Sequence, residues 1–286
     1  MDTNHMLPGM DALLPKEMAE KAERLGADKT RLPVLSLLTL AVLAGAFIAF
    51  GSMFSTIAVA ATESHLSFGI TRIVAGLTFS LGLILVIVGG AELFTGNNLM
   101  VMAWAGGKIS LGQMLRAWTL VYIGNFAGAA ATAVMMFLAG VHGNGDSAVG
   151  AAALNIAEAK AALPFFQALM RGVLGNVLVC LAVWLCYSAH TTTDRILCIV
   201  PPITAFVAAG FEHSIANMFI LPYGLLVKGL AAPAFWTAIQ RSPDAYPALE
   251  WGVLLSNLAP VTLGNVIGGG VLVGAVYWFV YLRNRP

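Results

Sequence analysis

Six long apolar stretches run along the chain, at approximately Leu35–Thr62, Gly69–Gly90, Met114–Ala139, Phe166–Ala189, Ile196–Leu226 and Leu254–Leu282. Each supplies the roughly 20 residues that a helix needs to cross a bilayer core. The apolar character is continuous, so it predicts helices and not the ~10-residue alternating strands of a membrane barrel. Two stretches are interrupted by polar residues. The second gives way at Thr95-Gly96-Asn97-Asn98 before a short apolar piece, Leu99–Ala105, and the fifth breaks at Gly210-Phe211-Glu212-His213-Ser214. Ahead of the first stretch, Ala19–Ala27 reads as a charged amphipathic helix. Leu13–Lys21, amphipathic and charged, has no apolar core of the kind a signal peptide carries. The expected organisation is an amphipathic N-terminal segment, 1–32, followed by a six-span membrane domain, 33–286.

Composition sharpens this. Of the 286 residues 59% are hydrophobic and 10% charged, against about 45–50% and 25% in soluble domains. So few charges cannot coat a water-facing globule, which excludes a soluble enzyme. A net charge of +1 gives no reason to expect nucleic acid as a partner. Six spans put both ends on one side, and basic residues favour the cytoplasm. With the N-terminus inside, the inner segments hold Lys16, Lys21, Arg24, Lys29, Arg31, Lys108, Arg116, Arg195, Arg283 and Arg285. The outer segments and their edges hold only Arg72, Lys160, Arg171, Lys228 and Arg241. Both termini are therefore expected in the cytoplasm. Cys180, Cys186 and Cys198 all lie in apolar stretches, which reads as small buried hydrophobes and not as disulfides or metal ligands.

The chain also repeats itself. Gly90-Ala-Glu92-Leu-Phe-Thr-Gly-Asn97 and Gly210-Phe-Glu212-His-Ser-Ile-Ala-Asn217 share G-x-E-x-x-x-x-N, 120 residues apart, and each interrupts an apolar run. Gly124-Asn125-Phe-Ala-Gly128 and Gly264-Asn265-Val-Ile-Gly268 share G-N-x-x-G. Each half holds three spans, an odd number, so the second is inserted upside down relative to the first. Inverted repeats with one broken helix apiece are the architecture of channels and transporters, because backbone exposed at mid-membrane is tolerated only against protein or a polar passage. Close helix packing is the alternative reading of the glycines.

Among the acidic residues only Glu92 and Glu212 sit deep within these stretches, and among the histidines only His213. A charge at that depth costs about 2.5–3.5 kcal/mol even on the lenient insertion scale. The structural alternative for the glutamates is that each accepts hydrogen bonds from the amides freed at its own break. His213 reads as functional, since imidazole titrates near neutrality and can donate a hydrogen bond or a proton. Metal binding is not expected, with no H-E-x-x-H and no second buried histidine. An intramembrane enzyme built on Glu212 and His213 is disfavoured, because no Ser or Cys nucleophile pairs with a second positioned base.

Gly90-Ala-Glu-Leu-Phe-Thr95 and Gly210-Phe-Glu-His-Ser-Ile-Ala-Asn-Met218 resemble the two signature breaks of the formate/nitrite transporter family. Asn176-Val-Leu-Val-Cys-Leu-Ala-Val-Trp184 and Pro260-Val-Thr-Leu-Gly-Asn-Val-Ile-Gly-Gly-Gly270 fit as well, and Ala232-Pro-Ala-Phe-Trp-Thr-Ala-Ile239 is similar to the formate-channel branch. The resemblance implies an aquaporin-like protomer with its own pore, assembled as a homopentamer in the bacterial inner membrane, with no cofactor. It implies a central pair, His213 and Thr95, and a cytoplasmic slit of Leu83, Leu93 and Phe94. It places Phe79, Val179 and Phe206 in a periplasmic slit, Lys160 in the outer vestibule, and Asn176 and Asn265 as polar groups deeper in. Glu92, Glu212 and Asn217 are the supporting polar residues. The N-terminal segment resembles the family's cytoplasmic helix that covers the pore mouth, and a cytoplasmic formate-producing enzyme is a candidate partner.

The physics suits a weak acid. A small carboxylate is ionised at neutral pH, and a bare anion in an apolar slit is penalised heavily. Lys160 attracts the anion, and His213 is placed to supply a proton so that a neutral acid crosses. Passage of the anion itself, strict proton-coupled symport, and nitrite, hydrosulfide, acetate or lactate as substrate stay open on sequence grounds.

Overall fold

The structure, a computed structural model, describes residues 12–60 and 67–284. His5, His65 and Arg285 lie outside them, as does the end of the first apolar stretch. Among the described residues there is no strand. Helix α1 (Pro15–Lys29) leads into α2 (Val34–Val59) and α3 (Phe68–Gly89), and the short α4 (Phe94–Asn97) and α5 (Val101–Ala105) are joined by a 3₁₀ turn. Then come α6 (Leu111–Leu138), α7 (Ala148–Ala161), α8 (Phe165–Ser188), α9 (Thr192–Ala208), α10 (Ser214–Leu230) and α11 (Pro233–Ala238). The chain ends on a rod, α12 (Val253–Asn265), a π-helical stretch Val266–Ala275 and α13 (Val276–Tyr281). Five of these elements are long and apolar enough to cross a membrane: α2, α3, α6, α8 and the final rod. The fifth apolar stretch becomes two 17-residue helices, α9 and α10. It begins four residues earlier than its hydropathy suggests, because Thr191 and Asp194 form a capping box that starts α9 in polar sequence.

The outside of the molecule is apolar. Leu35, Phe68, Leu138, Phe166 and Leu255 are each more than two-thirds exposed, as expected of helices that face lipid or neighbouring protein rather than water. Inside, helices approach closely at glycines. A Cβ on Gly128 would overlap the Val42 carbonyl of α2, and one on Gly268 the Val173 carbonyl of α8. The glycines of both G-N-x-x-G motifs thus serve packing, while their asparagines do something else.

That second duty is to hold the breaks open. Gly90 and Gly210 end α3 and α9 with φ of +77° and +72°, a left-handed conformation that glycine adopts without steric cost. Ala91 N–H then closes back on Val86 O, and Phe211 N–H on Phe206 O. The next amides have no helical partner. Glu92 N–H donates to Leu40 O of α2 and Glu212 N–H to Arg171 O of α8, each at 3.2 Å. Asn125 accepts from Phe94 N–H through Oδ1 and donates through Nδ2 to the carbonyls of Ala41 and Glu92. Asn265 repeats this with Ser214 N–H and the carbonyls of Gly172 and Glu212. One amide side chain bridges three backbone groups at each break, so α4 and α10 can start anew inside the bundle.

The glutamates do not receive the freed amides, contrary to the structural reading of the sequence. Lys29 Nζ meets Glu92 Oε2 at 2.8 Å and Asn97 Oδ1 at 2.6 Å, and Asn97 Nδ2 donates to the same carboxylate. Lys160 Nζ meets Glu212 Oε1 at 2.8 Å, and Asn217 Nδ2 donates to Oε2. Lys29-Thr-Arg-Leu-Pro33 and Lys160-Ala-Ala-Leu-Pro164 share K-x-x-L-P, 131 residues apart. The clamp carbonyls keep that spacing, Leu40 with Arg171 and Ala41 with Gly172. Helix α1 is therefore the counterpart of α7 in the repeat. Its small face, with Ala19, Ala22 and Gly26 buried, packs on α5 and α8.

Replacing Asn265 by Ala leaves the Ser214 amide and the Glu212 carbonyl without their partner in a buried setting, at a cost on the order of 2–4 kcal/mol. Thermal unfolding of the detergent-solubilised protein is expected to fall by several degrees or more. An unchanged midpoint would show that the break holds without its clamp.

Candidate functional site at the paired helix breaks

The two breaks meet at one hydrogen bond. Thr95, in the first turn of α4, places Oγ1 2.8 Å from Nε2 of His213, the N-cap residue of α10. Both residues are buried, Thr95 completely. His213 Nδ1 accepts the Ala216 backbone N–H at 3.1 Å. A nitrogen that accepts carries no proton, so this geometry assigns the neutral tautomer with its hydrogen on Nε2. Nε2–H then donates to Thr95 Oγ1, and the threonine hydroxyl hydrogen is left to point elsewhere. Two helix N-termini, each with partial positive charge, face the same spot.

The supporting shell fixes this pair. Asn176 of α8 donates through Nδ2 to Thr95 O, Asn98 Oδ1 and Asn265 O at 3.3, 2.8 and 2.7 Å. The thiol of Cys180, one turn further along, donates to the same Thr95 carbonyl at 3.3 Å. Cys180 is therefore more than a buried hydrophobe: it helps hold the break. Cys186 is buried and Cys198 half-buried, both free thiols. Asn265 is fully engaged in its clamp. Among the described residues no group of three or more metal-ligating side chains comes together.

A cavity of about 600 Å³ reaches this pair from one side, lined among others by Lys160, Glu212, His213, Phe79 and Phe206. The Phe79 and Phe206 rings lie 6.0 Å apart, and Phe206 stands edge-on to the His213 ring at 6.1 Å. Val179 is buried in the same apolar core without lining the cavity. Leu83, Leu93 and Phe94 are buried in this core as well and do not line the cavity, and Phe94 packs edge-on against Trp118 and Tyr122. Asn217 ties Glu212 to Asn257, whose own amide returns to the Lys160 carbonyl.

Sequence reasoning missed Lys29 and Asn97 as partners of Glu92, Asn257 as a partner of Asn217, and Asn125 as a clamp. The signal for Lys29 was available in the K-x-x-L-P repeat. It missed Arg72 and Arg171 as cavity-lining residues altogether.

Residues 16–279 match the formate/nitrite transporter family. The chain is 43% identical over 276 residues to the formate channel FocA of Escherichia coli K12, covering 96% of both chains. It is 39% identical over 265 residues to the formate channel FocA of Haemophilus influenzae, covering 92% of this chain and 93% of that one. Among solved structures, a pentameric formate channel with formate bound superposes with a TM-score of 0.83 at 39% identity, covering 87% of this chain and 98% of that one. An FNT family ion channel follows at 0.77 and 28%, covering 92% and 98%. With its paired breaks, its buried Thr95–His213 bond and this full-length similarity, the chain belongs to the formate/nitrite transporter family.

Proposed function

We propose that the protein is a bidirectional channel for formate and similar small monovalent anions, a homopentamer of the bacterial inner membrane with both termini in the cytoplasm. In this reading α3 with α4–α5, and α9 with α10, each form one broken span. The six spans are then two inverted three-helix repeats in an aquaporin-like protomer. The Thr95–His213 pair at two facing helix N-termini is the observation that carries it. Close similarity to formate channels over nearly the full chain supports the substrate.

The path runs as follows. Lys160 draws the anion into the outer vestibule. Phe79, Val179 and Phe206 on one side, and Leu83, Leu93 and Phe94 on the other, form apolar slits that hydrated cations do not cross. Between the slits the anion loses water. It meets the partial positive ends of α4 and α10 and the Thr95 hydroxyl, whose hydrogen is free because its oxygen already accepts from His213. The compensation is therefore dipolar, which binds an anion weakly enough to release it. His213 sets the pH dependence through its second nitrogen. A proton arriving at Nδ1 has to displace the Ala216 amide, so protonation and loosening of the first turn of α10 go together. The charged ring then offers a proton from Nε2 to the substrate. The N-terminal segment 1–32 modulates the inner mouth, anchored through Lys29.

His213→Asn keeps a side-chain oxygen that can cap α10 and removes the titrating group. In proteoliposomes at acidic and neutral pH, the variant is expected to assemble, to lose acid-stimulated formate uptake and to keep a pH-insensitive leak. A wild-type pH profile in His213→Asn makes the histidine a structural group. Ranking fluxes of formate, nitrite, hydrosulfide, acetate and lactate in the same vesicles tests the substrate, and current in a planar bilayer separates a channel from strictly coupled symport.

The orientation has its own test. A cysteine at position 236 is expected to react with an impermeant maleimide added outside intact cells, above the background of native thiols, and one at position 108 is not. The reverse pattern overturns the topology.

A further inference from the structure

The outer cavity carries more positive charge than the central pair explains. Arg72, Lys160 and Arg171 all line it, and among the described residues Glu212 is the single acidic one in its lining. Both carboxylate oxygens of Glu212 are already bonded, to Lys160 and to Asn217. Among the described residues neither guanidinium forms an ion pair, although Glu212 is near enough to Arg72 to attract it.

Each arginine is held differently. Arg72 donates from Nε to Ala208 O and from Nη2 to Val207 O, closing the end of α9 and leaving Nη1 uncommitted. Arg171 is exposed, and among the described residues its guanidinium makes no hydrogen bond or ion pair. It lies close enough to Arg72 for their like charges to act on one another. The repeat then separates the backbone role of Arg171 from its side chain. At the equivalent position in the other half stands Leu40, and its carbonyl takes the Glu92 amide just as Arg171 O takes the Glu212 amide. The break is built equally well with leucine. Among the described residues nothing pairs with the cation at position 171, and it faces the like charge of Arg72.

We propose that Arg171, with Arg72, forms a carboxylate-docking subsite in the outer vestibule beside Lys160, and that it retains dicarboxylates too large to enter the pore. The planar guanidinium fork matches the two oxygens of a carboxylate, and two such forks match a short dianion with a carboxylate at each end. Low-dielectric walls around unpaired charge concentrate anions of the opposite sign at the mouth. The subsite rests on the reading of the protein as a formate channel and gives that channel a sidedness, because its inner counterpart is Leu40.

The test uses the full-length protein in right-side-out vesicles, with malonate as the probe. External malonate is expected to inhibit formate uptake by wild type. In Arg171→Leu the half-saturating formate concentration rises several-fold and malonate inhibition weakens about tenfold. Arg171→Lys keeps the charge without the fork, and recovers formate affinity more than malonate inhibition. In detergent, malonate raises the unfolding temperature of wild type and not of Arg171→Leu. If Arg171→Leu keeps the wild-type half-saturation and malonate sensitivity, the subsite is overturned and formate transport stands. If wild type carries no formate yet malonate stabilises it in an Arg171-dependent way, the subsite stands and the transport reading falls.

Discussion

A helix can stop inside a bilayer only if every amide and carbonyl it releases finds a partner within the protein. In this chain one asparagine at each break, together with a carbonyl of the helix beside it, meets part of that demand. Asn125 and Asn265 each present an acceptor to the first amide of the new helix and a donor to two carbonyls. Only an amide side chain offers both at this length, since aspartate brings no donor and leucine brings neither. Because the breaks hold, α4 and α10 begin in the middle of the bundle, and Thr95 and His213 are delivered to one another at 2.8 Å.

The charged groups follow from the same arrangement. Glu92 and Glu212 are paired with lysines from outside the broken spans, Lys29 and Lys160, and each pair is stitched by an asparagine five residues beyond the glutamate. Removing one member of such a buried pair would strand the other, which is why both pairs are completed by further hydrogen bonds. The full charges of these four groups are therefore matched within pairs, and the Thr95–His213 contact between the breaks is made of neutral groups.

Much of this was legible in the sequence. Continuous apolar runs gave the membrane helices, and a glutamate and glycine within an apolar run marked each break. The acceptors of the freed glutamate amides were not legible. They are main-chain carbonyls of Leu40 and Arg171, and a carbonyl looks the same under every side chain. The extent of α9 was misjudged because its first turn is polar and depends on a capping box that hydropathy does not register. Lys29 was missed for a different reason. The N-terminal segment was set apart as a separate unit, so its K-x-x-L-P was not compared with that of Lys160.

The partners at each break have a further property. The asparagine clamp and the ion pair of the first break lie between Lys29 and Asn125, and those of the second lie between Lys160 and Asn265, while Asn176 and Cys180 of the second half add bonds to the Thr95 carbonyl of the first. As the nascent chain leaves the ribosome, its first half already contains its own clamp, Asn125, and its own ion pair, Lys29 with Glu92, before the second half is translated. In the proposed channel the passage is the seam where the two halves meet, and Thr95–His213 is a bond across that seam.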